Sequence, residues 1–138
     1  MDAEVEVRIN AEINRAYYTY ERYQVKAIFA LVYHEKEISL EDMGSYVRMS
    51  DRFVEYDTNH FFMLYHFTTG EEAHKASQNL LLKLDNYFNN TSTCIAIDCF
   101  NPSSSTKVVL NRLNQIIKET KKSSFARVEY EDILDSAI

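Results

Sequence analysis

Residues 9–30 run INAEINRAYYTYERYQVKAIFA. Apolar or aromatic side chains recur at Ile9, Ile13, Ala16, Tyr20, Tyr23, Ala27 and Ala30. This alternation of four and three residues holds them on one seam of a helix. Tyr17, Ile28 and Leu31 widen the seam, and Glu12, Arg15, Arg22 and Lys26 occupy the other sides. An amphipathic helix of this kind must bury its face against partners. Extended from about Glu4 to His34, it would be on the order of 45 Å long, a length suited to a helical bundle.

The segments that follow offer such partners. Ser39 is placed to cap a second helix running to about Thr68, with the seam Leu40, Met43, Val47, Ser50, Val54, Asp57, Phe61 and Leu64. Tyr46, Phe53 and Phe67 flank it. Gly70 reads as the residue closing that helix, and a third is expected from Glu71 to about Asn89. Cys94 to Phe100 is ambiguous: it alternates weakly like a strand, yet a single strand has no sheet to join, so a helical turn or buried connection is preferred. Pro102 and Ser103 stop that segment, and a fourth helix follows over about 107–121. Residues 123–138 read as a tail with a short helix packed through Val128, Ile133 and Leu134. The expected fold class is all-α: a four-helix bundle over residues 1–122 and that tail.

Composition agrees with one helical domain. The 138 residues include two Gly and one Pro, too little punctuation for an all-β chain, and 46% hydrophobic content argues against disorder. A net charge of −6 weighs against nucleic-acid binding. No apolar run approaches the ~20 residues of a membrane span, and no secretory leader is visible, so a cytoplasmic protein is expected. Cys94 and Cys99 then read as reduced thiols. Two glycines also leave no material for a phosphate-cradling loop.

Several short stretches resemble ferritins: Ile-Asn-Ala-Glu-Ile-Asn at 9–14 with Tyr20 and Tyr23, Ile38-Ser39-Leu40-Glu41, Gln78-Asn79-Leu80-Leu81, Lys107-Val108-Val109 and Glu129-Tyr130. The resemblance implies a bundle with a di-iron site of carboxylates and a Glu-x-x-His pair. At the matching positions this chain carries Ala16, Val54, Asp57, Ala73 and Lys107. Tyr23, Asp57 and the neighbouring Glu72 are the remnants, so the metal site reads as lost, with no cofactor and no enzymatic activity expected. The second and third helices are also too close in sequence for the ferritin crossover, which favours an antiparallel hairpin.

The resulting expectation is a ferritin-like pseudoenzyme that acts by protein–protein interaction. It would pair with itself, as a dimer or larger, and with an unidentified protein. Tyr17, Tyr18, Phe62 and Tyr65 are the candidate contacts, because two aromatic stripes exceed what one bundle core needs. An inactive ferritin subunit in iron storage is the alternative. A third reading, a metal oxidase, requires Asp57, His60, Glu71 and His74 to converge.

Overall fold

Ala27-Ile-Phe-Ala-Leu-Val-Tyr33 is a strand, β1, and a sheet forms around it. The computed structural model describes residues 3–66, 69–98, 104–123, 125–132 and 134. The helix expected through position 34 ends at Tyr23, so α1 is Ala3–Tyr23. Gln24 takes a left-handed backbone (φ 57°), and its N–H reaches the Tyr20 carbonyl at 2.8 Å, which closes the last turn. Beyond it the chain is extended. Six of the seven β1 residues are buried, as expected of a strand covered on both faces.

The second expected helix is absent as well. Ser39 does cap a helix, its side chain accepting from the Asp42 N–H, but α2 covers only Leu40–Tyr46. A hairpin follows, made of β2 (Arg52–Asp57) and β3 (His60–His66). In β3 the alternation decides the packing: Phe61, Met63 and Tyr65 enter one core, while Phe62 and Leu64 enter the other. The surplus of aromatic side chains thus belongs to the two faces of strands. It does not form a second helical stripe.

Thr69 caps α3 (Gly70–Phe88), so Gly70 begins a helix where it was expected to end one. α3 leads to β4 (Cys94–Asp98), five buried residues that do have a sheet to join. Then come α4 (Thr106–Ser123) and β5 (Val128–Tyr130), so Val128, expected to pack from a short terminal helix, lies on a strand. The strand order is β2-β3-β1-β4-β5. β1 is antiparallel to both β3 and β4, and β5 joins β4 in parallel. The chain is therefore α/β with a mixed sheet, and the all-α bundle over residues 1–122 is incorrect. Phe67, Cys99, Pro102, Ser103 and Ile133, which entered the helical reading, lie outside the described residues.

Helices cover both faces. α1 and α4 bring Ile9, Ile13, Ala16, Leu113 and Ile116 against Phe29, Leu31, Phe62 and Leu64. α2 and α3 bring Met43, Leu80, Leu84 and Phe88 against Ile28, Ala30, Val32, Phe61 and Met63. An ion pair fastens the last strand: Arg127 Nη1 and Nη2 donate to Asp85 on α3, at 3.0 and 2.6 Å, and Nη1 also reaches the Thr93 carbonyl at 3.1 Å. No helix among the described residues is long and apolar enough to cross a membrane.

Candidate functional site

Between the end of α2 and the outer side of α3 lies a cavity of about 270 Å³. Glu72, Lys75, Ala76, Asn79, Leu80 and Lys83 line it from α3. Their spacing of three and four residues is what puts them on one helical face. Tyr46 and Arg48 close it from the α2 side. Three cationic side chains and one aromatic ring thus meet in a concavity of a chain whose net charge is −6.

Arg48 is fixed before any ligand arrives. Its Nε donates to Asp51 Oδ2 at 2.7 Å and its Nη2 to Asp51 Oδ1 at 2.9 Å, a two-bond fork. The Asp51 side chain is 1% exposed, against 44% for Arg48, so a buried carboxylate holds a guanidinium that still faces solvent. That bond pushes the Arg48 pKa further up. The guanidinium also sits 5.7 Å from the centre of the Tyr65 ring. Tyr65 is itself anchored by a 2.8 Å hydrogen bond to Ser77, and burial pushes its pKa up to about 12. Lys83 Nζ donates to the Tyr46 carbonyl at 3.4 Å. The Tyr46 ring meets Tyr87 edge to face at 6.1 Å, and Tyr87 donates to Asp42 at 2.9 Å. The cavity thus combines three cations with one carboxylate, Glu72, beside a half-buried tyrosine ring packed against the core.

A second polar constellation lies at the tip of the β2–β3 hairpin. Asp57 accepts from the Asn59 N–H and from His60 Nδ1, both at 2.8 Å. Asn59 Nδ2 donates to the carbonyls of His34 and Glu35, both at 3.0 Å, tying the turn to the end of β1. Asp57, a remnant metal ligand in the sequence reading, is thus engaged in turn geometry. His34 is 1% exposed, stacked between Phe61 and Phe88 at 5.3 and 5.6 Å. Its Nδ1 donates to the Lys36 carbonyl, and its buried Nε2 has no hydrogen-bond partner.

Burial lowers the His34 pKa, opposed by the Lys36 carbonyl and by Asp57 and Glu55, and assisted by His60. The folded ring therefore takes up a proton at lower pH than the unfolded chain, which does so near the ordinary histidine value of about 6.5. Stability contributed here is complete above that value and declines as pH falls below it toward the folded-state pKa. Melting temperature is expected to fall on acidification below about pH 6.5, less steeply in His34→Phe, where no proton can bind. Thermal scans of both proteins across pH 5 to 8 check this, and identical slopes would contradict it.

The residues expected to carry function are scattered. Phe62 is fully buried and Tyr65 is 2% exposed, on opposite faces of the sheet. Tyr17 is half-buried, donating to the Ser104 carbonyl at 2.6 Å. Tyr18 and Tyr23 are exposed on α1, where Arg22 donates to the Tyr18 hydroxyl at 2.6 Å. They form no single surface with Phe62 and Tyr65. Asp57 and His60 flank the hairpin turn, whereas Glu71 and His74 sit in the first turns of α3, beyond the opposite end of β3. His74 stacks on Tyr130 at 5.3 Å. Glu72 alone among the candidates lines the cavity. Arg48, Lys75 and Lys83 were passed over because charged residues on a helix flank normally read as a solvated face.

Two solved structures are similar to this chain along most of its length. One is the GGDEF domain of DgcB from Caulobacter crescentus in complex with c-di-GMP, with a TM-score of 0.66 at 12% identity, covering 88% of this chain and 87% of that one. The fold is GGDEF-like. The other, the coiled coil and GGDEF domain of the same protein in complex with c-di-GMP, gives 0.63 at 12% identity over 87% and 77% of the two chains. No family model and no curated protein matches the sequence.

The GGDEF-like fold corrects the ferritin resemblance, and with it the function expected of a ferritin-like bundle and the iron-storage alternative. It also removes the ground for expecting no enzymatic activity. That expectation rested on ligands missing from a bundle core, and the chain has no such core. Ala16, Val54 and Asp57 fall on α1 and on β2, not on facing helices of one bundle.

Proposed function

We propose that this chain binds cyclic di-GMP in the cavity between α2 and α3 and serves a process governed by that nucleotide. The observation that carries the reading is the convergence of Arg48, Lys75 and Lys83 with Tyr46 on one concavity. It is supported by the fold, shared with domains solved in complex with c-di-GMP. A cyclic dinucleotide carries two phosphodiester charges and two flat bases. Lysines and a fixed arginine satisfy the first, and a tyrosine ring and the guanidinium plane satisfy the second. The overall negative charge is no obstacle, because charges farther than a Debye length, about 8 Å at physiological salt, are largely screened.

Titration calorimetry of the full chain with cyclic di-GMP tests the reading. Saturable binding that weakens as salt rises is expected. Absence of binding at nucleotide concentrations up to the millimolar range would overturn it.

A further inference from the structure

We propose that Glu72 reads the guanine base in this cavity, selecting cyclic di-GMP over dinucleotides of other purines; the inference rests on the cyclic-dinucleotide reading above. Glu72 shares the cavity with Arg48, Lys75 and Lys83. A carboxylate is out of place in a pocket that only holds phosphate, since it repels the ligand it borders. A ligand that also offers donors would turn that carboxylate to use.

Guanine does so. Its N1–H and N2 amine lie side by side and match the two oxygens of a carboxylate. Adenine presents a ring-nitrogen acceptor at the same place, which the carboxylate repels, so one side chain supplies both attraction and rejection. Glu72 is also held in place. Its N–H donates to Thr69 Oγ1 at 3.2 Å, and that hydroxyl donates to Glu72 Oε1 at 3.1 Å. This contact with the cap hydroxyl holds the carboxylate on the first turn of α3 and leaves it further acceptor capacity.

The bond to the Thr69 hydroxyl would be reason enough for a glutamate here, so the test must separate the two roles. Glu72→Gln does this, because the glutamine oxygen can accept the same hydroxyl bond while one acceptor is replaced by a donor. Cyclic di-IMP, whose hypoxanthine lacks the N2 amine, is the matching change in the ligand. By calorimetry, the unmodified chain is expected to bind cyclic di-GMP roughly tenfold tighter than cyclic di-IMP and roughly a hundredfold tighter than cyclic di-AMP. In Glu72→Gln the preference for cyclic di-GMP over cyclic di-IMP disappears while the melting temperature is unchanged. Equal binding of these two ligands by the unmodified chain, or a preference that survives in Glu72→Gln, would overturn the role of Glu72 and leave the cavity reading intact. Binding of none of the three would overturn the cavity reading itself, and Glu72 with it.

Discussion

Phe62→Ala is expected to destabilise the fold by about 3–5 kcal/mol, a large share of the roughly 5–15 kcal/mol typical of native proteins. Phe62 is fully buried in the centre of β3, in van der Waals contact with the α1–α4 core, and its ring lies 5.9 Å from that of Phe29. Deleting it removes the ring's burial and leaves a cavity in the cluster that holds Ile9 and Ile13 of α1 and Leu113 of α4, rigid helices that collapse only in part. Urea unfolding followed by circular dichroism reads the effect, as a lower midpoint at unchanged slope. Tyr18→Ala is the control. That ring is 56% exposed on α1, and its loss is expected to stay within about 0.5 kcal/mol. Comparable losses for the two would contradict the sheet. So would a folded Phe62→Glu protein, since this substitution places a charge where no partner or water reaches it.

Replacing Lys75 and Lys83 together by alanine is expected to weaken cyclic di-GMP binding by at least about a hundredfold, while the melting temperature stays within a degree or two. Both lysines are exposed on α3, so surface rules apply to stability. For binding, each ammonium that meets a phosphodiester contributes a charge-assisted hydrogen bond of about 1.5–3 kcal/mol. The salt dependence of the remaining affinity is expected to flatten as well, because two of the three cations are gone. Arg48→Ala is a less clean variant. It would leave the buried Asp51 carboxylate without the guanidinium that holds it, and stability would fall together with affinity. Unchanged affinity in the double lysine variant would place any nucleotide site elsewhere on the chain.

How far the sequence discloses this fold depends on which residues are asked. Ser39 as a cap and the two long helices near 71–89 and 107–121 follow from local signals, because capping and a 3.6-residue period act within a few residues. The strands are hidden for a physical reason. A central strand buried on both faces, such as Ala27–Tyr33, has no alternation to display, and its apolar run continues the helical seam of α1 at Ala27 and Ala30. Only Gln24 interrupts it, and a glutamine in the left-handed region carries no sequence signal. The same ambiguity affects His60–His66, where Phe61 and Leu64 fit a helical seam although they face opposite cores. Cys94–Asp98 was set aside for want of a sheet, so one missed strand concealed another.

The site was still less legible. Lys75 and Lys83 are eight residues apart on one helix, and their partner Arg48 lies before β2. Only the packing of α2 and α3 on the same face of the sheet unites them. Glu72 was noticed for its carboxylate, but as a relic of a metal site that this topology does not build.

Amide chemical-shift mapping by NMR during titration with cyclic di-GMP would locate the nucleotide on the chain. The expected result is a set of saturating shifts confined to residues 46–51 and 69–83, the two segments that enclose the cavity. Shifts centred on the hairpin tip at 57–60, or none at saturating nucleotide, would contradict it.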